Sequence, residues 1–222
     1  MIDLLTPSYG RPERLAIMYK SAKDTAELPS DVVVWTAFEM DDPHLGDYQH
    51  GVHYDMRING TWGFAGPAWN ALVRASRSHI VHMTADDLIF KTPKWDMKVR
   101  DHFCEQPFKV LHYRDDLRDE KMALNPFVTR KWIEAIGYIY PRLNHFYSDT
   151  WIEDIARQAG TLHYDPDLHI QQAHWKNSLA EWDQTYSRTR GNDVHSRDAK
   201  TWEESSFLRS ELAKIIKAAQ LT

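Results

Sequence analysis

Short apolar runs alternate with amphipathic stretches at the start of the chain. Residues 2–6 form an apolar run that ends at Pro7 and predicts a buried strand. Residues 12–25 place apolar side chains at helical spacing behind a proline, which favours a helix. Residues 31–37 contain three consecutive valines and predict a second strand. Strand, helix and strand in this order are typical of a parallel sheet, so the pattern predicts an α/β fold.

The rest of the chain continues in short strands and helices. We predict further strands at residues 52–58, 79–84, 109–113, 162–164 and 168–174 and helices at 67–75, 95–103, 130–136, 149–159 and 202–221. The polar stretch 177–201, which contains Gly191, is predicted to be a mobile loop. No repeat, low-complexity tract or linker divides the sequence, so a single domain over residues 1–222 is predicted.

Composition narrows the class of protein. The 222 residues carry a net charge of −5, which argues against bulk electrostatic attraction to nucleic acid or anionic lipid. No apolar run is long enough to span a membrane, and residues 1–6 lack the features of a secretory signal. A lone cysteine, Cys104, excludes an internal disulfide and a cysteine-rich zinc site. The default expectation is a cytoplasmic protein.

Several catalytic classes lack their sequence signatures. The first strand is not followed by a Gly-x-Gly-x-x-Gly loop, and the chain has neither a Walker lysine loop nor a Gly-x-Ser-x-Gly elbow. Nine tryptophans and twelve histidines stand out instead. Tryptophan serves as a platform for flat or amphipathic ligands, but it also fills cores. Composition therefore assigns no function by itself.

Asp86 and Asp87 end the strand predicted at residues 79–84. Ligands of open α/β sheets bind beyond the carboxyl ends of the strands. Adjacent carboxylates at that position repel one another unless they are solvated or bridged by a cation, and hard divalent cations take oxygen ligands. The alternative is a polar turn that closes the strand, because aspartate is common in turns.

Two further positions are candidates for chemistry. Asp149 would act as a general base if it lay beside a pocket, although Ser148 or Asp149 would equally cap the helix that follows. His174 follows a predicted strand and would face the same sheet edge as Asp87. The alternative for this histidine is an ordinary core or surface side chain.

Four segments resemble family 2 glycosyltransferases in the order expected of that family. Residues 4–15, Leu-Leu-Thr-Pro-Ser-Tyr-Gly-Arg-Pro-Glu-Arg-Leu, are similar to its opening strand and donor loop. Residues 66–72, Gly-Pro-Ala-Trp-Asn-Ala-Leu, are similar to a helix start of the family, and residues 82–89 fall where it carries an Asp-x-Asp metal motif. Residues 148–160 match its Glu-Asp-x-x-Leu…Arg…Gly segment.

The resemblance implies a single-domain GT-A fold, a Rossmann-like mixed sheet flanked by helices. Residues 1–90 would bind a nucleotide sugar, residues 91–175 would hold the acceptor and the catalytic base, and residues 176–222 would form the mobile loop and terminal helix. Asp149 would be the base, and Asp87 with His174 would bind Mn²⁺ or Mg²⁺. The remaining implied contacts are to the donor: Thr6, Pro7, Tyr9, Arg11, Glu39, Asn70 and Asp86.

The implied reaction is an inverting, metal-dependent transfer of a sugar from a nucleotide-diphosphate donor to a hydroxyl. The acceptor would be a glycan, a small molecule, a protein or, less expectedly, a modified nucleic-acid base. Closure of residues 177–201 would exclude water from the donor. The metal motif departs from the family because it reads Ala-Asp-Asp at residues 85–87. Two alternatives stay open: a non-catalytic carbohydrate- or nucleotide-binding module, and a nucleotidyltransferase on a related fold.

Overall fold

The computed structural model describes residues 1–140, 143–190 and 193–221, with the backbone alone at residues 105, 189 and 190. The first half alternates strands and helices as the apolar pattern predicts. Its elements are β1 (Ile2–Ser8), α1 (Pro12–Thr25), β2 (Val32–Glu39), β3 (Met56–Gly60), α2 (Ala65–Ala75) and β4 (Ile80–Met83). β1 pairs in parallel with both β2 and β4, and β2 pairs in parallel with β3.

The second half extends the same sheet with strands of mixed direction. Its elements are β5 (Leu88–Phe90), α3 (Trp95–Glu105), β6 (Val110–Arg114), β7 (Phe127–Thr129), α4 (Arg130–Ile136), α5 (Ser148–Ala159), β8 (Leu162–Gln172), α6 (Gln184–Arg190), α7 (Val194–Glu204) and α8 (Ser206–Ala219). The described strands form an eight-stranded sheet in the order β3-β2-β1-β4-β7-β6-β8-β5. The predicted α/β class with a mixed sheet flanked by helices is confirmed.

Hydrophobic clusters cover both faces of the sheet. One cluster joins β1 and β4 to α2, α4, α5 and α8 and includes the fully buried Trp132 and Trp151. The other packs α1 and α3 against the opposite face and includes Trp95, whose Nε1 donates to the Ala22 carbonyl. A sheet buried on both faces leaves the strand ends for ligand chemistry.

The structure corrects several local predictions. The stretch 177–201 contains α6 and the greater part of α7, so it is not the predicted loop, and Gly191 lies outside the described residues. The strand predicted at 52–58 begins only at Met56, and the two strands predicted between 162 and 174 are one continuous strand, β8. β5 and β7 were not predicted, because three-residue strands carry too little pattern. Among the described residues no helix combines the length and apolarity needed to cross a membrane.

Candidate active site

A cavity of about 230 Å³ opens at the carboxyl ends of β1, β2 and β4. The chain reaches it from several elements, because parallel strands deliver the residues that follow them to one edge of the sheet. The structure brings eight of the ten predicted site residues into its lining: Pro7, Tyr9, Arg11, Glu39, Asp86, Asp87, Asp149 and His174.

Both oxygens of the Asp86 carboxylate accept hydrogen bonds. It is buried, and it accepts hydrogen bonds from the Ser8 hydroxyl at 2.9 Å and from Arg11 Nη1 at 3.0 Å. The same guanidinium donates through Nε and Nη2 to both oxygens of Asp183, at 2.8 and 2.9 Å. Arg11 therefore joins the loop after β1 to the loop before α6. Burial alone would lower the pKa of Arg11, but the negative charges of Asp86 and Asp183 outweigh burial and raise it.

Asp87 has weaker partners than its neighbour. Its Oδ2 accepts from the Tyr186 hydroxyl at 3.3 Å, and its Oδ1 lies 3.5 Å from Gln172 Nε2. Burial raises the pKa of Asp87 to about 6, with a further contribution from the adjacent Asp86. Both contacts are at the long end of hydrogen bonding, so this carboxylate is available to a ligand in the cavity.

Asp149 lies in the first turn of α5, where the helix dipole favours an anion. Its Oδ1 accepts from the Asn125 backbone N–H at 3.1 Å. Enclosure by protein raises the pKa of Asp149 to about 6, and the negative charges of Asp115 and Glu153 add to this effect. A carboxylate with such a pKa is mainly ionised at neutral pH and is a stronger base than an ordinary aspartate.

His174 caps the short 3₁₀ turn at Trp175–Asn177. Its Nδ1 accepts from the Lys176 backbone N–H at 3.1 Å, which fixes the ring. The ring centre lies 5.0 Å from that of Tyr186, the residue whose hydroxyl contacts Asp87. His174 and Asp87 therefore both contact Tyr186.

Glu39 and Tyr9 line the part of the cavity near β2. Glu39 Oε2 accepts from the Trp62 backbone N–H at 3.0 Å, and burial raises the pKa of this carboxyl. The Tyr9 ring carries the guanidinium of Arg188 4.0 Å from its centre. An aromatic face and a carboxylate side by side suit a flat ligand with N–H donors.

The segment around α6 lines the cavity and contacts both the loop after β1 and the first turn of α1. Thr185 Oγ1 donates to the Tyr9 carbonyl at 2.8 Å, and the Tyr186 ring lies under the Arg11 guanidinium at 4.4 Å. Arg14 Nη2 donates to the Glu181 carbonyl at 3.1 Å. These contacts hold α6 over Asp86 and Asp87.

Two predicted donor residues do not reach the cavity. Thr6 is buried within β1 beside Thr36, and Asn70 uses its amide to hold the turn after α4, donating to the Tyr140 carbonyl at 2.7 Å. Trp151, two residues after Asp149, is fully buried in the core. Trp69 lines the cavity but is fixed by donation from Nε1 to the Leu5 carbonyl at 2.8 Å.

Sequence reasoning missed several residues that form the site. Tyr186 and Thr185 lie in the segment predicted as a loop, Gln172 ends a strand that was predicted without a role, and Asn125 lies in an irregular stretch. None belongs to a motif, so only the fold brings them to the cavity. The alternation of polar and apolar residues along β8 is the single local signal that would have pointed to Gln172.

The side chains around the cavity would bind a divalent cation only together with a ligand that supplies further oxygen atoms. No group of three or more histidine, cysteine, aspartate or glutamate side chains that would hold a metal ion occurs in the described part of the chain. Mg²⁺ and similar ions are commonly held by one or two carboxylates together with substrate phosphates. Asp87, with its two long contacts, and the orphaned, buried Oε1 of Gln172 beside it are consistent with that arrangement.

Comparison with known proteins shows similarity in structure. No protein-family model and no curated sequence matches the chain. The mannosyltransferase PcManGT from Pyrobaculum calidifontis, solved with GDP-Man and Mn²⁺, superposes with a TM-score of 0.64 over 98% of this chain and 74% of its own, at 11% identity. Glucosyl-3-phosphoglycerate synthase from M. tuberculosis gives a TM-score of 0.63 over 91% of this chain and 79% of its own, at 9% identity. The chain has a GT-A fold.

A third similar protein is TarS from S. aureus. Its fragment 1–349 superposes with a TM-score of 0.60 over 77% of this chain, at 11% identity. This chain spans 60% of that fragment and 44% of the longer TarS structure. Identities this low support the shared fold and do not transfer an activity.

Proposed function

We propose that this protein is an inverting glycosyltransferase that moves a sugar from a nucleotide-diphosphate donor to a hydroxyl acceptor. The observation that carries the proposal is the presence of Asp87 and Asp149 in one cavity at the carboxyl edge of a GT-A sheet, each with a pKa raised to about 6. The similar structures support it, since one contains GDP-Man with Mn²⁺ and another UDP-GlcNAc.

The nucleotide part of the donor would lie against the loop after β1. Tyr9 offers its ring to the base, and Glu39 offers a carboxylate to N–H groups on the base edge. Pro7 shapes the wall between them, and Arg11 places positive charge beside Asp86 and Asp87. Arg188, stacked on Tyr9, would move from the ring to the diphosphate as the donor enters.

Asp149 would act as the general base. It would accept the proton of the acceptor hydroxyl while the hydroxyl oxygen forms a bond to the anomeric carbon. The bond from that carbon to the diphosphate oxygen breaks in the same displacement, and its electron pair leaves with the nucleoside diphosphate. A single displacement of this kind inverts the anomeric configuration.

The Asn125 N–H would hold the Asp149 carboxylate in position during proton transfer. It is a backbone donor on a segment tied to α5 a second time, because Ala123 N–H donates to Glu153 at 3.2 Å. Asp149 therefore has one backbone contact of its own, and the segment that supplies this contact is held to α5 by a second one at Glu153.

Asp87 and His174 are the residues that would hold Mn²⁺ or Mg²⁺. When bound, the ion supplies positive charge that stabilises the departing diphosphate. Asp86 would contribute by fixing Arg11 rather than by binding the ion, because its oxygens already accept hydrogen bonds from Ser8 and Arg11. This division of roles accounts for a site that reads Ala-Asp-Asp.

α6 would exclude water from the donor. The helix contacts Tyr9 and Asp87, the residues that would bind the donor and the ion. α6 therefore has to shift when these ligands bind. Enclosure matters because water competes with the acceptor hydroxyl as a nucleophile. The acceptor itself stays open among a glycan, a small molecule, a protein and a nucleic-acid base, and a cytoplasmic location is part of the proposal.

A donor screen tests the function. In one arm, purified protein is incubated with UDP-, GDP- and dTDP-sugars and Mn²⁺, and released nucleoside diphosphate is measured. In a second arm, the protein is incubated with nucleoside triphosphates, sugar 1-phosphates and Mn²⁺, and released pyrophosphate is measured. We expect nucleoside diphosphate from at least one donor, and loss of that signal in Asp87→Ala. Release of pyrophosphate would indicate a nucleotidyltransferase, and saturable sugar binding without release from any donor would indicate a binding module.

A further inference from the structure

Gln172 places an unsatisfied amide oxygen in the cavity. Its Oε1 is buried and accepts no hydrogen bond from the described residues. Among the described residues, the amide Nε2 has only the 3.5 Å contact with Asp87 Oδ1. A buried polar atom without a partner is costly, so its retention needs an explanation such as a ligand.

The backbone of Gln172 is fixed, in contrast to its side chain. Its N–H donates to the Asp115 carbonyl at 2.9 Å, and its carbonyl accepts from Asn177 Nδ2 at 2.7 Å. Its position is set opposite Leu88, and the next residue, Ala173, donates through its N–H to the Asp87 carbonyl at 2.8 Å. The sheet thus fixes the Gln172 backbone next to Asp87, so the side chain extends from a defined position beside that carboxylate.

Gln171 shows what a satisfied glutamine looks like on the same strand. It points to the other face of β8, where its Nε2 donates to Asp116 Oδ2 at 2.9 Å. Gln171 therefore has a protein partner of normal length, whereas Gln172 has a long contact and an orphaned oxygen.

The chemistry beside Gln172 favours a cation as its partner. Asp86 and Asp87 make this edge negative, and the guanidinium of Arg11 is directed to Asp86 and Asp183. Rotation of the amide exchanges its nitrogen and oxygen and brings Oε1 to within about 3.5 Å of Asp87 Oδ1. Two oxygens bound to one octahedral ion are about 3 Å apart, so a small closure accommodates a shared ion.

We propose that the side-chain oxygen of Gln172 and the carboxylate of Asp87 bind the same divalent cation. The proposal rests on the metal-dependent function proposed above and adds a neutral oxygen ligand to its site. A neutral amide supplies an oxygen without adding a third negative charge beside Asp86 and Asp87. This moderates affinity, since affinity of oxygen sites rises with the number of charged ligands.

The test measures binding of Mn²⁺ without turnover. Free Mn²⁺ is quantified by electron paramagnetic resonance during titration of wild type, Gln172→Ala, Gln172→Glu and the matched control Gln171→Ala, with UDP or GDP present. We expect Gln172→Ala to weaken binding roughly tenfold and Gln172→Glu to strengthen it several-fold because it adds charge, with the control unchanged. Circular dichroism and thermal melting establish that each variant is folded.

The outcomes separate this proposal from the function. Unchanged Mn²⁺ affinity in folded Gln172→Ala, or equal weakening in Gln171→Ala, would overturn the ligand assignment even if sugar transfer is observed. Wild type that binds no more Mn²⁺ than Asp87→Ala would also overturn it. The pattern of weaker binding with alanine and tighter binding with glutamate would support it even if no donor in the screen reacts.

Discussion

Two carboxylate regions of the cavity differ in how their charge is satisfied. In the Arg11 region, one guanidinium pairs with Asp86 and Asp183 at 2.8–3.0 Å and ties the loop after β1 to the segment before α6. In the Asp149 region, the carboxylate has one backbone hydrogen bond, from Asn125 at 3.1 Å, and no cation pairs with it among the described residues. In the Arg11 region the carboxylates hold the loops of the site together. In the Asp149 region the carboxylate is available to accept a proton.

Replacement of the base gives the largest expected effect. Asp149→Asn keeps the shape and an oxygen for the Asn125 N–H but cannot take a proton, so transfer should fall roughly 10³-fold. Because the pKa of Asp149 is raised to about 6 in the folded state, its ionised form opposes folding above that pH, and the variant should be no less stable than wild type at neutral pH. Initial rates and thermal melting check both parts.

The control for this variant is Asp101→Asn, which removes an exposed carboxylate on α3. It should leave rate and melting temperature unchanged. An Asp149→Asn enzyme with the wild-type rate would remove the distinction between the two regions, because Asp149 would then be structural.

Removal of Arg11 should destabilise the Arg11 region. Arg11→Ala leaves Asp86 buried with only the Ser8 hydroxyl, and we expect a loss of about 3 kcal/mol in the free energy of unfolding. The matched Arg14→Ala removes a half-buried arginine that also contacts Asp183, at 3.4 Å, and should cost less than about 1 kcal/mol. Urea denaturation measures both variants.

A second substitution sharpens this result. If the cost of Arg11→Ala comes from the unpaired carboxylate, adding Asp86→Ala should restore part of the lost stability. Equal destabilisation by Arg11→Ala and Arg14→Ala would contradict the central place given to Arg11.

The pH dependence of transfer should follow the carboxylate that acts as the base. The pKa of Asp149 is raised to about 6, and the residue would act in its ionised form. The rate should therefore be constant above about pH 7 and fall about tenfold for each pH unit well below 6. A pH–rate profile for wild type checks this, and a rate that stays constant down to pH 4, the usual range of an aspartate, would contradict it.

The smallest predicted effect concerns the tyrosine that contacts Asp87. Tyr186→Phe removes the hydroxyl that donates a hydrogen bond to Asp87 at 3.3 Å. A bound cation would have to displace this hydroxyl. Mn²⁺ affinity should rise roughly threefold, corresponding to a weak hydrogen bond. Titration with detection of free Mn²⁺ gives the value, and weaker binding would mean that the hydroxyl supports the ion rather than competing with it.

The sequence predicted the fold well where packing follows a local pattern. The apolar runs at β1, β2 and β4 and the helical spacing of α1, α2 and α5 are visible without a structure, because each element buries one side of a regular repeat. The short β5 and β7 lack a repeat, and their conformation comes from pairing with β8 and with β4 and β6.

The site was predictable only in part, for the same reason. Asp87 and Asp149 stand in recognisable segments, and both reach the cavity. Arg11 and Asp183 are 172 positions apart in the sequence, and Gln172 and Asp87 are 85 positions apart. No local sequence pattern therefore predicts either contact. Of the residues assigned by resemblance alone, Asn70 donates to the Tyr140 carbonyl, and Thr6 is buried within β1 opposite Thr36.

The anomeric configuration of the product tests the central claim most directly. Proton NMR on the transfer product of the reactive donor, or on the released sugar before mutarotation, reports whether the configuration at the anomeric carbon has changed. A single base at Asp149 and one displacement predict a product of configuration opposite to that of the donor. A product that retains the donor configuration would contradict the account, since one displacement assisted by Asp149 cannot produce it.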